Sequence, residues 1–113
     1  MEETKLRFTR FAADVIHISA PLLDNSFLEP RIKKLVSSST RMGSLVYEAE
    51  LCRNEFEYSL KIRSAIIELQ ESQYWIQILL NAKPDHLPLI NLYEDSKSLA
   101  QLLHNLDKAR MVV

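Results

Sequence analysis

The chain is poor in the residues that other fold classes consume. It has 113 residues and a single Gly, whereas β folds use Gly freely in their turns. It has one cysteine, Cys52, which excludes an internal disulfide and a zinc site built from cysteines. It has no run of like charges, and its net charge is −1. Dedicated nucleic-acid binders usually carry a basic excess, because phosphate neutralisation drives their affinity. No stretch approaches the ~20 apolar residues of a membrane-spanning helix. No secretory leader is read at the N-terminus. With the lone cysteine, this leads us to expect a reducing, cytoplasmic setting.

What is present is an ordinary globular balance. Hydrophobic residues make up 47% and charged residues 26%, enough apolar mass for one domain with its own core. Periodicity predicts an all-α domain over 1–113, an antiparallel up-and-down four-helix bundle. The helices are expected at about 4–22, 27–52, 55–81 and 87–112. In the first, Phe8, Phe11, Ala12, Val15, Ile16, Ser19 and Leu22 share one face, and Pro21 kinks or ends the last turn.

In the second helix, Ser26 and Glu29 have capping-box spacing, and Pro30 falls in the first turn. Ile32, Leu35, Val36, Ser39, Met42, Gly43 and Val46 form its apolar face. A Gly inside a helix costs about 1 kcal/mol relative to Ala. The expected compensation is close approach of a neighbouring helix over Ser39 and Gly43. The third helix starts from Asn54 as N-cap, and the stretch from Asn81 to Pro84 stops it. Glu57 and Lys61 form a favourable pair one turn apart. The fourth has Asp85 as candidate cap and Pro88 in its first turn. Ile90, Tyr93, Leu99, Leu102, Leu103, Leu106 and Ala109 form its apolar side. The short connections favour antiparallel neighbours.

The third helix carries two apolar stripes. Steps of 100° per residue gather Tyr58, Ile62, Ala65, Ile66, Leu69, Ile76 and Leu80 on one side. They gather Phe56, Leu60, Ile67, Tyr74 and Ile78 on another, across a polar seam of Arg63, Gln70 and Gln77. A bundle needs one stripe per helix. Either the third helix buries a wider arc, or its second stripe meets another subunit. The second reading is favoured, because exposed apolar strips of this size are uncommon on monomers. Phe56, Leu60, Ile67, Tyr74 and Ile78 are thus the candidate oligomer interface.

No catalytic, cofactor-binding or metal-binding constellation emerges. Glu48, Glu68 and Glu71 form the most suggestive acidic set, but di-metal bundles complete such a set with Glu-x-x-His pairs. No Glu here has a His three residues on, and Asp14-x-x-His17 occurs once. His17, His86 and His104 fall on different segments. No phosphate-cradling Gly loop or nucleophile elbow is present. Trp75 and Tyr74 read as packing residues. Ser37, Arg41, Ser44 and Glu48 line one side of the second helix, near Lys33 and Lys34. That side is either water-facing or a polar strip for phosphates or a protein. Lys33, Lys34 and Arg41 are its candidate nucleic-acid contacts.

The run from Arg31 to Ser44, with Val46 and Glu48-Ala49-Glu50, carries a family resemblance together with residues of the third helix. Those are Phe56, Lys61, Ala65, Glu68, Glu71-Ser72 and Tyr74-Trp75-Ile76. This half of the chain resembles the bacterial four-helix bundle proteins encoded within intervening sequences of 23S ribosomal RNA genes. The resemblance implies a ring of bundles, typically a pentamer, with no established enzymatic activity; no cofactor is expected. A related branch, the accessory proteins of diversity-generating retroelements, binds nucleic acid and a reverse transcriptase and is strongly basic, unlike this chain. Leu45, Tyr47 and Ile67 stand where the family commonly has Asn, Ala and Lys. Ile67 thereby extends the second stripe. The resemblance and the stripes together point to a homo-oligomeric scaffold or binding module, with nucleic-acid binding by the oligomer's basic surface as the alternative.

Overall fold

The computed structural model describes residues 2–111, and side chains over residues 3–108. Its elements are α1 (Glu2–Ser19), a 3-10 turn (Ala20–Leu22), α2 (Glu29–Leu51), α3 (Glu55–Ala82) and α4 (Leu87–Met111). No strand occurs among the described residues. The expected final helical residue, Val112, and the side chain of Ala109 lie outside the described residues. The helices pack α1 on α2, α2 on α3, α3 on α4 and α4 back on α1, with the α2–α3 contact the most extensive. The bundle measures 47 × 21 × 19 Å.

Cross-helix bonds fix the register. Ser38 of α2 meets Ser72 of α3, Oγ to Oγ, at 2.8 Å, while Glu48 meets Lys61. Numbers rise along α2 as they fall along α3, so the pair is antiparallel. On the other side of α3, Gln73 donates to Ser96 and Gln77 to Tyr93, and Ser59 donates to Asp107, giving the same sense for α4.

Local chemistry sets the helix ends. Pro21 ends α1 at Ser19, where the chain tightens into the 3-10 turn. Asn54 caps α3: its side chain accepts from the Glu57 N–H at 2.8 Å. Two expected caps are not used. The capping box of Ser26 with Glu29 does not form, because the N-cap of α2 is Leu28, which has no side-chain acceptor. Asn25 acts one step earlier, its Oδ1 accepting from the N–H groups of Phe27 and Leu28. At α4 the cap is His86, not Asp85. His86 Nδ1 and carbonyl both accept from the Leu89 N–H, and the carbonyl accepts from Ile90. An imidazole nitrogen substitutes for the usual carboxylate.

The core runs the length of the bundle. Phe8, Phe11 and Val15 of α1 meet Ile32, Leu35, Met42 and Val46 of α2, Tyr58, Ile62, Leu69 and Ile76 of α3, and Leu89, Leu99 and Leu103 of α4. Burying each such side chain is worth about 1.5–3 kcal/mol. Two expected core members are misplaced. Ile16 is 51% exposed and Ile90 36%; α4 instead turns Leu89 and Leu92 inward. At Gly43 a neighbouring backbone does come near. An added Cβ would lie 3.8 Å from the Phe8 carbonyl oxygen, so the approach leaves room for a methyl group.

Candidate functional site

The two stripes of α3 have opposite fates. Tyr58, Ile62, Ala65, Leu69 and Ile76 are buried in the core, with Ile66 and Leu80 packed partly against it. On the opposite face, Phe56 is 73% exposed, Leu60 49%, Ile67 64% and Tyr74 53%, with Ile78 partly buried. The span from Phe56 to Ile78 is about 33 Å at 1.5 Å per residue. The wider-arc reading is therefore excluded for Phe56, Leu60, Ile67 and Tyr74: α3 does not bury them within its own bundle. Tyr74 and Trp75 also part company. Trp75 packs against the core, and Tyr74 meets it edge to face at 5.0 Å, but Tyr74 itself faces outward rather than packing inside. The Trp75 indole Nε1 is buried without an acceptor among the described residues.

The polar seam is where α4 docks. Arg63 Nε reaches Asp107 at 3.2 Å, and Gln77 donates to the Tyr93 hydroxyl at 2.8 Å. Seven-residue spacing along α3 indicated the seam. Its partners come from the other side of a turn, and no local spacing marks them.

The acidic set is dispersed. Glu48 accepts from Lys61 Nζ at 2.7 Å and from Ser44. The hydrogen bond and charge of Lys61 hold the Glu48 carboxyl below its usual range and raise the Lys61 ammonium in turn. Lys61 thus bridges α3 to α2, instead of making the one-turn pair with Glu57 that spacing suggested. Glu68 lies 3.7 Å from Arg41, and Glu71 is exposed. Among the described residues, no three His, Cys, Asp or Glu side chains converge as a metal site would require.

Lys33, Lys34 and Arg41 stand exposed on the outer face of α2. Lys33 and Lys34 have no ionic partner among the described residues, while Arg41 leans toward Glu68. A feature absent from the sequence reading is an apolar groove of about 430 Å³ between the end of α1 and the start of α2. It is walled by Ile16, Leu23 and Val36, with Ser19 inside and Lys33 at the rim. Ser19 is 2% exposed and its Oγ has no partner among the described residues. Ile16 and Ile18, two residues apart on α1, point to different sides of the helix. Ile18 packs partly against the core, and Ile16 lines the groove.

No helix among the described residues is long and apolar enough to cross a membrane. No family model and no curated protein matches the chain. Among solved structures, the chain is similar to a protein of unknown function from the S23 ribosomal protein family of Bacteroides thetaiotaomicron. The two share 22% sequence identity and a TM-score of 0.85, over 93% of this chain and 98% of that one. At that identity the likeness establishes a common fold: the four-helix arrangement recurs over nearly the whole of both chains.

Proposed function

We propose that this chain is a non-enzymatic, homo-oligomeric helical-bundle protein of the kind encoded within 23S ribosomal RNA intervening sequences, a cytoplasmic scaffold or binding module whose working form is a ring of copies, a pentamer by the family pattern. The observation that carries the reading is the outer face of α3, where Phe56, Leu60, Ile67 and Tyr74 lie about half exposed or more along one line. Left in water, such a strip forgoes roughly 25 cal/mol for each Å² of apolar surface that a second copy would cover. The shared fold with an S23-family protein of unknown function agrees with it. The test is sedimentation of the purified chain. A species larger than one chain, reduced to one chain by Phe56→Glu with Ile67→Glu, supports the reading. A wild type that sediments as a monomer throughout the micromolar range ends it.

A second reading is favoured by one observation: Lys33 and Lys34, adjacent on α2, are exposed and without an ionic partner among the described residues. Repeated around a ring with Arg41, they form a surface whose weak contacts to phosphates add up. RNA and duplex DNA binding measured against salt decides it. Affinity that falls with salt and vanishes in Lys33→Glu/Lys34→Glu supports nucleic-acid binding; absence of binding at low salt rejects it.

A further inference from the structure

We propose that the copies join head to tail, the α3 stripe of one seating in the α1–α2 groove of the next; this rests on the oligomeric reading above and specifies its geometry. A closed ring needs two different faces on each copy, whereas a two-fold dimer pairs one face with itself. Among the described residues, a ridge and a groove, both apolar and unpartnered, lie in different places. One is the outward face of α3. The other is the groove walled by Ile16, Leu23 and Val36, which lies between α1 and α2, away from that face.

The heights agree. Ser38 is level with Ser72 across the antiparallel α2–α3 pair. Val36, two residues before Ser38, is therefore level with Tyr74, two residues after Ser72. Ile32, six before, is level with Ile78, six after. Bundles standing upright around a common axis keep their heights, so Tyr74 and Ile78 of one copy face the groove of the next. A phenol entering there brings a hydroxyl toward Ser19 Oγ, buried and without a partner among the described residues; a buried hydroxyl left unpaired is unfavourable, and the phenol supplies the missing bond.

Area and charge point the same way. A stable interface takes about 800 Å² from each partner. One helix face about 33 Å long and ~10 Å wide meeting its own copy supplies about half of that. Where Tyr74 and Ile78 enter the groove, the ridge touches both walls and buries its flanks as well as its crest. One flank carries Glu71, exposed and within a turn or two of the groove's height, while Lys33 stands at the groove's rim. One acidic edge of the stripe thus comes toward Lys33.

The experiment is a complementation by mass. Tyr74→Glu damages only the stripe, and Ile16→Glu only the groove; both side chains are about half exposed, so the fold tolerates the change, which circular dichroism checks. The expected result by native mass spectrometry is one chain for each variant alone. Mixed, they form a complex of two chains and no larger, because each supplies the face the other lacks. If Ile16→Glu keeps the wild-type mass, and Leu23→Glu does the same, the stripe pairs with itself: this inference falls and the oligomeric reading survives. Should the wild type itself be a single chain, both fall. Should Ile16→Glu fail to fold, Leu23→Glu decides alone.

Discussion

Asp95 sits on α4 with the Arg7 guanidinium 3.9 Å away and Asp14 across the same surface pocket. Partial burial raises its carboxyl above the usual range; Arg7 opposes the shift and Asp14 adds to it. A carboxyl whose folded pKa is raised binds its proton more tightly in the native state. Stability therefore grows as pH falls through that raised value and is reduced once Asp95 ionises. Asp95→Asn is expected to melt above wild type at neutral pH, the lost Arg7 pair being half exposed and worth little. The gap should close as the pH is lowered through the range where Asp95 protonates; a neutral-pH melting point below wild type would reject this. Gly43 gives a second residue-scale expectation. A methyl group there meets the Phe8 carbonyl oxygen at 3.8 Å, an ordinary contact. Gly43→Ala should add up to about 1 kcal/mol in urea unfolding. A loss would mean that α1 packs closer than that distance. The sequence marked Gly43 as a place of close approach. It held no measure of the gap, because the neighbour comes from another helix.

The helices themselves were legible because each prints its own periodicity: Phe8, Phe11 and Val15, or Tyr58, Ile62, Ala65 and Leu69, are spaced by the turn that buries them. Their ends were half legible. Asn54 behaves as its type suggests, accepting from Glu57 N–H. Ser26 does not, because Asn25 beside it has already turned the chain and taken the N–H groups of Phe27 and Leu28. Several strong cap formers in a row compete, and spacing does not rank them. The contrast is testable. Asn54→Ala should cost about 1 kcal/mol, whereas Ser26→Ala, exposed and making no cap bond, should be near neutral. Equal losses in thermal unfolding would contradict the assignment. Lys61 teaches the same limit. Its neighbour four residues back is Glu57, yet its ammonium crosses to Glu48 on α2 at 2.7 Å. Pairing rules along one helix cannot see a carboxylate brought up by the next.

At the scale of the molecule, the stripe of α3 was visible in the sequence and its exposure was not, since burial depends on where α2 and α4 settle. They settle on the seam and the core side: α4 takes Arg63 and Gln77, α2 takes Ser72 and Lys61, and Phe56, Leu60, Ile67 and Tyr74 are left outside. The groove was not legible at all, because it arises between α1 and α2 and from the 3-10 turn that Pro21 imposes. The departures Leu45 and Ile67 diverge in meaning. Leu45 is 3% exposed and belongs to the core, whereas Ile67 is 64% exposed and belongs to the outer face. An apolar residue set that far into water at the middle of the stripe is what the account of assembly stands on. The most direct test is the molar mass by light scattering of the wild type beside Ile67→Glu. One chain is 13.1 kDa. The expected wild-type mass is a multiple of this value, twice or more, and Ile67→Glu is expected at the single-chain mass with its helical signal retained. A wild type at the single-chain mass would contradict it.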